Sequence, residues 1–124
     1  MASSTFYKMG GAKELQVIQL FVHAAIGSTG AVTLNTAKSK GIASMTRTSA
    51  GLYVITLSEA YAELLAVDGL ALFSTLQDLT FQVNAETVAT TKTITMWCKT
   101  AATATDPTSG TTLKFKITLK NSGV

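Results

Sequence analysis

The chain has 124 residues, 47% of them hydrophobic and only 14% charged, with a formal net charge of +3. That is the length of one domain, able to fold without a metal or disulfide, and its hydrophobicity excludes intrinsic disorder. A single cysteine excludes an intramolecular disulfide, and 21 threonines against one proline point to strands.

Residues 1–13 are small and polar apart from Phe6 and Tyr7. They read as an N-terminal arm ahead of one β-sandwich domain over 14–124. Leu15 to Ile26 follows Lys8 and Lys13, but Glu14, Gln16, Gln19 and His23 interrupt it. It therefore fails as a secretory h-region and is too short for a membrane span. Leu15 and Val17 share one face, then Ile18, Leu20 and Val22 share one. This phase slip predicts a β-bulge or a strand buried on both sides. Gly27-Ser28-Thr29-Gly30 is a turn, Ala31 to Leu34 a short strand, and Asn35 to Gly41 a polar loop with lysines. Ile42 to Thr48 is a weak strand. Gly51 to Leu57 is a strong one, rich in β-branched and aromatic residues.

Ser58 fits a helix N-cap, with Glu59 in the first turn and Tyr61, Leu64 and Leu65 at i, i+3, i+4. One short helix is expected near 58–66. Asp68-Gly69 is a turn signal and Leu70 to Leu76 an apolar strand. Leu79, Phe81, Val83 and Ala85 alternate with Thr80, Gln82, Asn84 and Glu86. Ile94, Met96 and Cys98 alternate with Thr93, Thr95 and Trp97. Residues 100–112 form a loop containing Asp106-Pro107. Leu113, Phe115, Ile117 and Leu119 alternate with Lys114, Lys116, Thr118 and Lys120. A period of two buries one face and wets the other. The fold class is all-β, mainly antiparallel, β-sandwich or jelly-roll-like, with the one short helix.

Residue types that carry chemistry are isolated. His23 is the sole histidine and sits in a mostly apolar strand, where a structural role is expected. Without a Cys/His set there is no zinc site, and neither GxxxxGK[ST] nor GxGxxG occurs. Glu59 and Glu63 would share a face of the helix as solvated charge. Cys98 lies in an apolar run and reads as a buried, inert thiol. No catalytic residue, cofactor or metal is expected, and neither a small-molecule substrate nor a membrane.

Charge falls in blocks. Residues 1–58 carry net +4, residues 59–91 net −5, and residues 92–124 net +4. The acidic middle can complement the basic ends within or between subunits. Lys114, Lys116 and Lys120 share a strand face with no aromatic, which argues against a single-strand nucleic-acid platform. Threonine faces depleted of charge suit protein contact. Trp97, Phe6 and Tyr7 are the candidate anchors.

Two stretches carry a resemblance. One is Thr46-Arg47-Thr48 through Gly51-Leu52-Tyr53-Val54-Ile55-Thr56-Leu57, into Tyr61 and Leu64-Leu65. The other is Ala104-Thr105-Asp106-Pro107, Gly110, and the strand closing in Leu119-Lys120-Asn121-Ser122. Over residues 41–124 the chain resembles small virion proteins of tailed bacteriophages, of the capsid cement or decoration type. The resemblance implies a protein on the outer capsid surface of the virion, assembled in the host cytoplasm. It would bind the major capsid protein as a homo-oligomer, a dimer or trimer, and stabilise the expanded shell without catalysis. Alternatives are another virion component, such as a tail, head-fibre or adhesin domain, or a small nucleic-acid-binding β domain.

Overall fold

Alternating apolar and polar residues set the strands, and two half-apolar sheets bury their faces against each other. The structure, a computed structural model, describes residues 17–121. The arm, with Phe6 and Tyr7, lies outside the described residues. The strands are β1 (Val17–Ile26), β2 (Val32–Leu34), β3 (Ile42–Ser49), β4 (Leu52–Leu57), β5 (Glu63–Leu72), β6 (Thr80–Thr87), β7 (Thr93–Thr100), β8 (Thr103–Ala104) and β9 (Thr112–Lys120). They build two antiparallel sheets, one in the order β2-β1-β9-β5 and one in the order β3-β4-β7-β6, with β8 beside β7. The protein is an all-β sandwich, as its alternation predicts.

The core fills the space between the sheets. Val22 and Ala24 of β1 and Leu113, Phe115, Ile117 and Leu119 of β9 come from one side. Tyr53, Ile55 and Leu57 of β4 and Ile94, Met96 and Cys98 of β7 come from the other. Phe115 meets Phe81 edge-on, with ring centroids 5.1 Å apart and planes at 87°.

Four local expectations are corrected. First, residues 58–66 form no helix. The Ser58 N–H donates to the Gly41 carbonyl at 2.9 Å, Tyr61 N–H to Val88 at 3.1 Å and Ala62 N–H to Lys120 at 2.9 Å. Long-range acceptors take the donors, and from Glu63 onward the chain is β5, paired along β9. A weak helical pattern has lost to sheet pairing. Second, Asp68-Gly69 is not a turn but lies within β5. An added Cβ on Gly69 would stand 1.9 Å from Phe115 Cδ1, so the glycine makes room for the ring across the strand pair.

Third, β1 has neither a bulge nor two buried faces. Its register with β9 is unbroken from Val17↔Lys120 to Ala25↔Thr112. The phase slip reflects apolar residues on the outward face, Val17 opposite Lys120 and Phe21, which is 50% exposed, opposite Lys116. Fourth, β6 does carry a register shift, between Val83 and Ala85. Ala85 therefore stands opposite Thr95 on the outer face instead of in the core, and Val83 is partly exposed.

Candidate protein-contact face

Trp97 lies in β7 between the core residues Met96 and Cys98, so the pleat turns its ring to the outer face of its sheet, where it is half-buried. The register puts Leu52 of β4 on one side of it and Gln82 of β6 on the other. The next row is Val54–Thr95–Ala85, and the one beyond is Thr56–Thr93–Thr87. Thr46 and Ser44 of β3 extend these rows opposite Val54 and Thr56. A hollow of about 330 Å³ beside the ring is lined by Gln82, Trp97, Lys99, Ala102 and Ala104. Across these rows there is no carboxylate, and Lys99 at one end is the sole charge.

Threonine hydroxyls satisfy one another here. Thr87 Oγ1 is hydrogen-bonded to Thr91 Oγ1, and lies 2.8 Å from Thr93 Oγ1. Such a surface offers little desolvation cost to a partner, because away from Lys99 its rows carry no charge to strip of water. Sequence reasoning places Trp97 correctly on a threonine face. It misses Leu52, Val54 and Ala85, which lie outward because of strand registry rather than any motif.

A second polar cluster centres on Asp106. Arg47 grips it with both ends of its guanidinium fork, Nε to Oδ1 at 3.0 Å and Nη2 to Oδ2 at 2.7 Å. The Gly51 N–H donates to Oδ1 at 2.8 Å. The Tyr53 hydroxyl lies 2.9 Å from the Gly30 carbonyl and 3.2 Å from Oδ1, and its one proton serves either. Arg47 holds the Asp106 carboxyl below its ordinary range, aided by the Gly51 amide. Burial pushes the Tyr53 phenol up, with Asp106 adding to the shift. The cluster ties the β3–β4 hairpin and the Ser28–Gly30 turn to the segment after β8. An added Cβ on Gly30 would sit 2.4 Å from Asp106 Cγ, so the carboxylate packs directly on the glycine, whose φ is +78°.

The remaining candidates stay apart. Cys98 is buried, and burial first, then Asp106, pushes its thiol up to about 11, so it is not a thiolate nucleophile at neutral pH. The His23 backbone N–H donates to Ser39 Oγ at 2.9 Å, and the Ser39 hydroxyl donates back to the His23 carbonyl. Glu59 accepts from the Tyr61 hydroxyl at 3.3 Å, while Glu63 stands opposite Lys120 in the β5–β9 register. The two carboxylates share no face. Among the described residues no group of three His, Cys, Asp or Glu side chains could hold a metal ion.

No protein-family model matches the chain, nor does any curated protein or solved structure.

Proposed function

We propose that this protein is a capsid cement protein of a tailed bacteriophage. It binds the major capsid protein on the outer head surface and stabilises the expanded shell, with no catalytic step. One observation carries the reading: the outer face of the β3-β4-β7-β6 sheet is broad, rich in threonine, free of carboxylates and centred on Trp97. A face of this kind is stable against a protein surface and poorly suited to phosphate. The resemblance over residues 41–124 points to the same class. Because many copies each bridge neighbouring capsid subunits, modest contacts add up to a large effect on the shell.

The test is co-sedimentation of the purified protein with unexpanded and expanded empty shells of its own phage. The expected result is saturable binding to expanded shells, at a fixed ratio to the major capsid protein, with a raised disruption temperature. Presence in purified virions with no binding to either shell would move the protein to the tail or fibres. Absence from virions would end the cement reading.

A further inference from the structure

The two sheets are closed at one edge of the sandwich and open at the other. On the closed side residues 35–41 carry the chain from β2 across to β3. An added Cβ on Gly41 there would stand 2.9 Å from Leu20 Cδ2. On the open side lie β5 and β6. Among the described residues β5 pairs only with β9, and β6 only with β7. Each therefore presents a free row of N–H and C=O groups.

The side chains leave this edge open. Register turns Val67, Gly69 and Ala71 of β5 inward, opposite Ile117, Phe115 and Leu113. They are small and fill little of the space between the sheets. From β6, Phe81 and Val83 face inward opposite Cys98 and Met96, yet neither is fully covered. Two hollows of about 310 Å³ and about 390 Å³ follow the edge. Leu79 and Phe81 line both, so the hollows adjoin as one groove. The outward face of β5 adds Asp68, Leu70 and Leu72, the two leucines 61% and 55% exposed. An apolar groove beside a free strand edge suits an extended segment added as a further strand.

The chain holds a segment that fits. Val17 of β1 and Glu63 of β5 both stand opposite Lys120 of β9. The residues before Val17 thus start from the end of the sheet at which β5 begins. A segment doubling back from there along β5 runs antiparallel to it. It must first pass β9 and β5, about three strand spacings or about 14 Å. Residues 11–16 span about 20 Å when extended, which leaves residues 4–10 to pair. In the register that sets Lys8 opposite Asp68, Phe6 stands opposite Leu70 on the outer face. Tyr7 and Met9 then turn inward over the groove, opposite Gly69 and Val67. Gly10-Gly11 falls at the corner, where backbone freedom is needed. Charge agrees with this placement. Residues 59–91 carry net −5, whereas residues 1–13 carry Lys8 and Lys13 and no acid.

We propose that residues 4–10 dock in this groove as an added strand on β5 of the same molecule. The arm fills the space that Val67, Gly69 and Ala71 leave, and it takes up the free edge of β5. An edge so covered is closed to pairing with other chains. This inference stands independently of the cement reading, because it is read on purified protein without a capsid.

The experiment is disulfide trapping on the purified full chain. Ser4→Cys and Leu72→Cys stand opposite each other in this register and should oxidise to an intrachain disulfide. Ser4→Cys with Gln82→Cys, on the outer face of the other sheet, should not. Cys98 is buried and takes no part. Amide exchange gives a second reading on chains without introduced cysteines. Tyr7→Asp should speed exchange over residues 66–72 by at least about ten-fold, as loss of a buried anchor does. Val83→Asp should do the same from the groove side, and the two together should do no more than either alone. Exchange in β7 should stay unchanged in each variant, which shows that the sandwich remains folded. Disulfide-linked dimers in place of the intrachain product would overturn the proposal and assign the groove to another copy's arm. Equal trapping by Gln82→Cys would overturn it too, as would exchange over residues 66–72 that ignores Tyr7→Asp.

Discussion

Among the described residues, Asp106 gathers partners from both strands of the β3–β4 hairpin. It accepts from Arg47 twice and from the Gly51 amide, and it lies within reach of the Tyr53 hydroxyl. Arg47 is 59 positions away in sequence, which is why the acid reads from the sequence only as part of an Asp-Pro turn. The folded-state carboxyl titrates below its ordinary value. A depressed folded pKa adds stability that is full above the unfolded value, about 3.9 for Asp. That stability is lost as pH falls through the folded value. Asp106→Asn removes this contribution. In urea titrations between neutral pH and pH 3, the gap between wild type and variant should narrow below about pH 4. A gap constant across that range would show that the charge of Asp106 adds nothing. Asp106→Ala should cost about 1–3 kcal/mol at neutral pH through the Gly51 N–H alone, the usual penalty for a backbone donor left without its acceptor.

Strands with one clear partner face could be read directly. β7 and β9 alternate along their length, and every inward residue the pattern assigns from Ile94 to Cys98 and from Leu113 to Leu119 is buried. β5 could not be read this way. As an edge strand it pairs on one side only, and its Asp68-Gly69 pair carries the signal of a turn. What holds it straight is Phe115, whose ring occupies the space over Gly69. β6 is misread for a related reason. A single register shift reverses which residues face inward beyond it, and nothing in the local sequence marks the step. The glycine makes a direct prediction. Gly69→Ala places a methyl group against the Phe115 ring and should destabilise by about 1–3 kcal/mol, the usual cost of overpacking a filled core. Gly69→Ala in a Phe115→Leu background should cost less than it does alone. Equal penalties in both backgrounds, measured as urea midpoints, would place the strain in the backbone of β5 instead.

At the scale of the whole molecule the two sheets present opposite kinds of surface. One outer face alternates lysine with acid across β9 and β5, and so meets much of its own charge within the chain. The other has no carboxylate in its rows and one aromatic ring near its centre. That asymmetry matters for partners. Nucleic-acid binding needs many phosphate contacts and falls steeply with salt, whereas the lysines of β9 that oppose Asp68 and Glu63 are poorly placed to make them. On the cement reading proposed above, binding through the threonine face would depend little on salt and heavily on one anchor. Trp97→Ala should therefore weaken binding to expanded shells by about 30-fold or more, as loss of a central aromatic anchor does. The ring lies outside the core, flanked by Leu52 and Gln82, so the substitution should leave the sandwich folded. Lys99→Ala, at the end of the same face, should change binding little, since a rim charge contributes mainly to association rate. Co-sedimentation at low and high salt separates the cases. Loss with Trp97→Ala that is equal at both salts places the contact on this face. A loss confined to low salt would point instead to a charged surface elsewhere on the molecule.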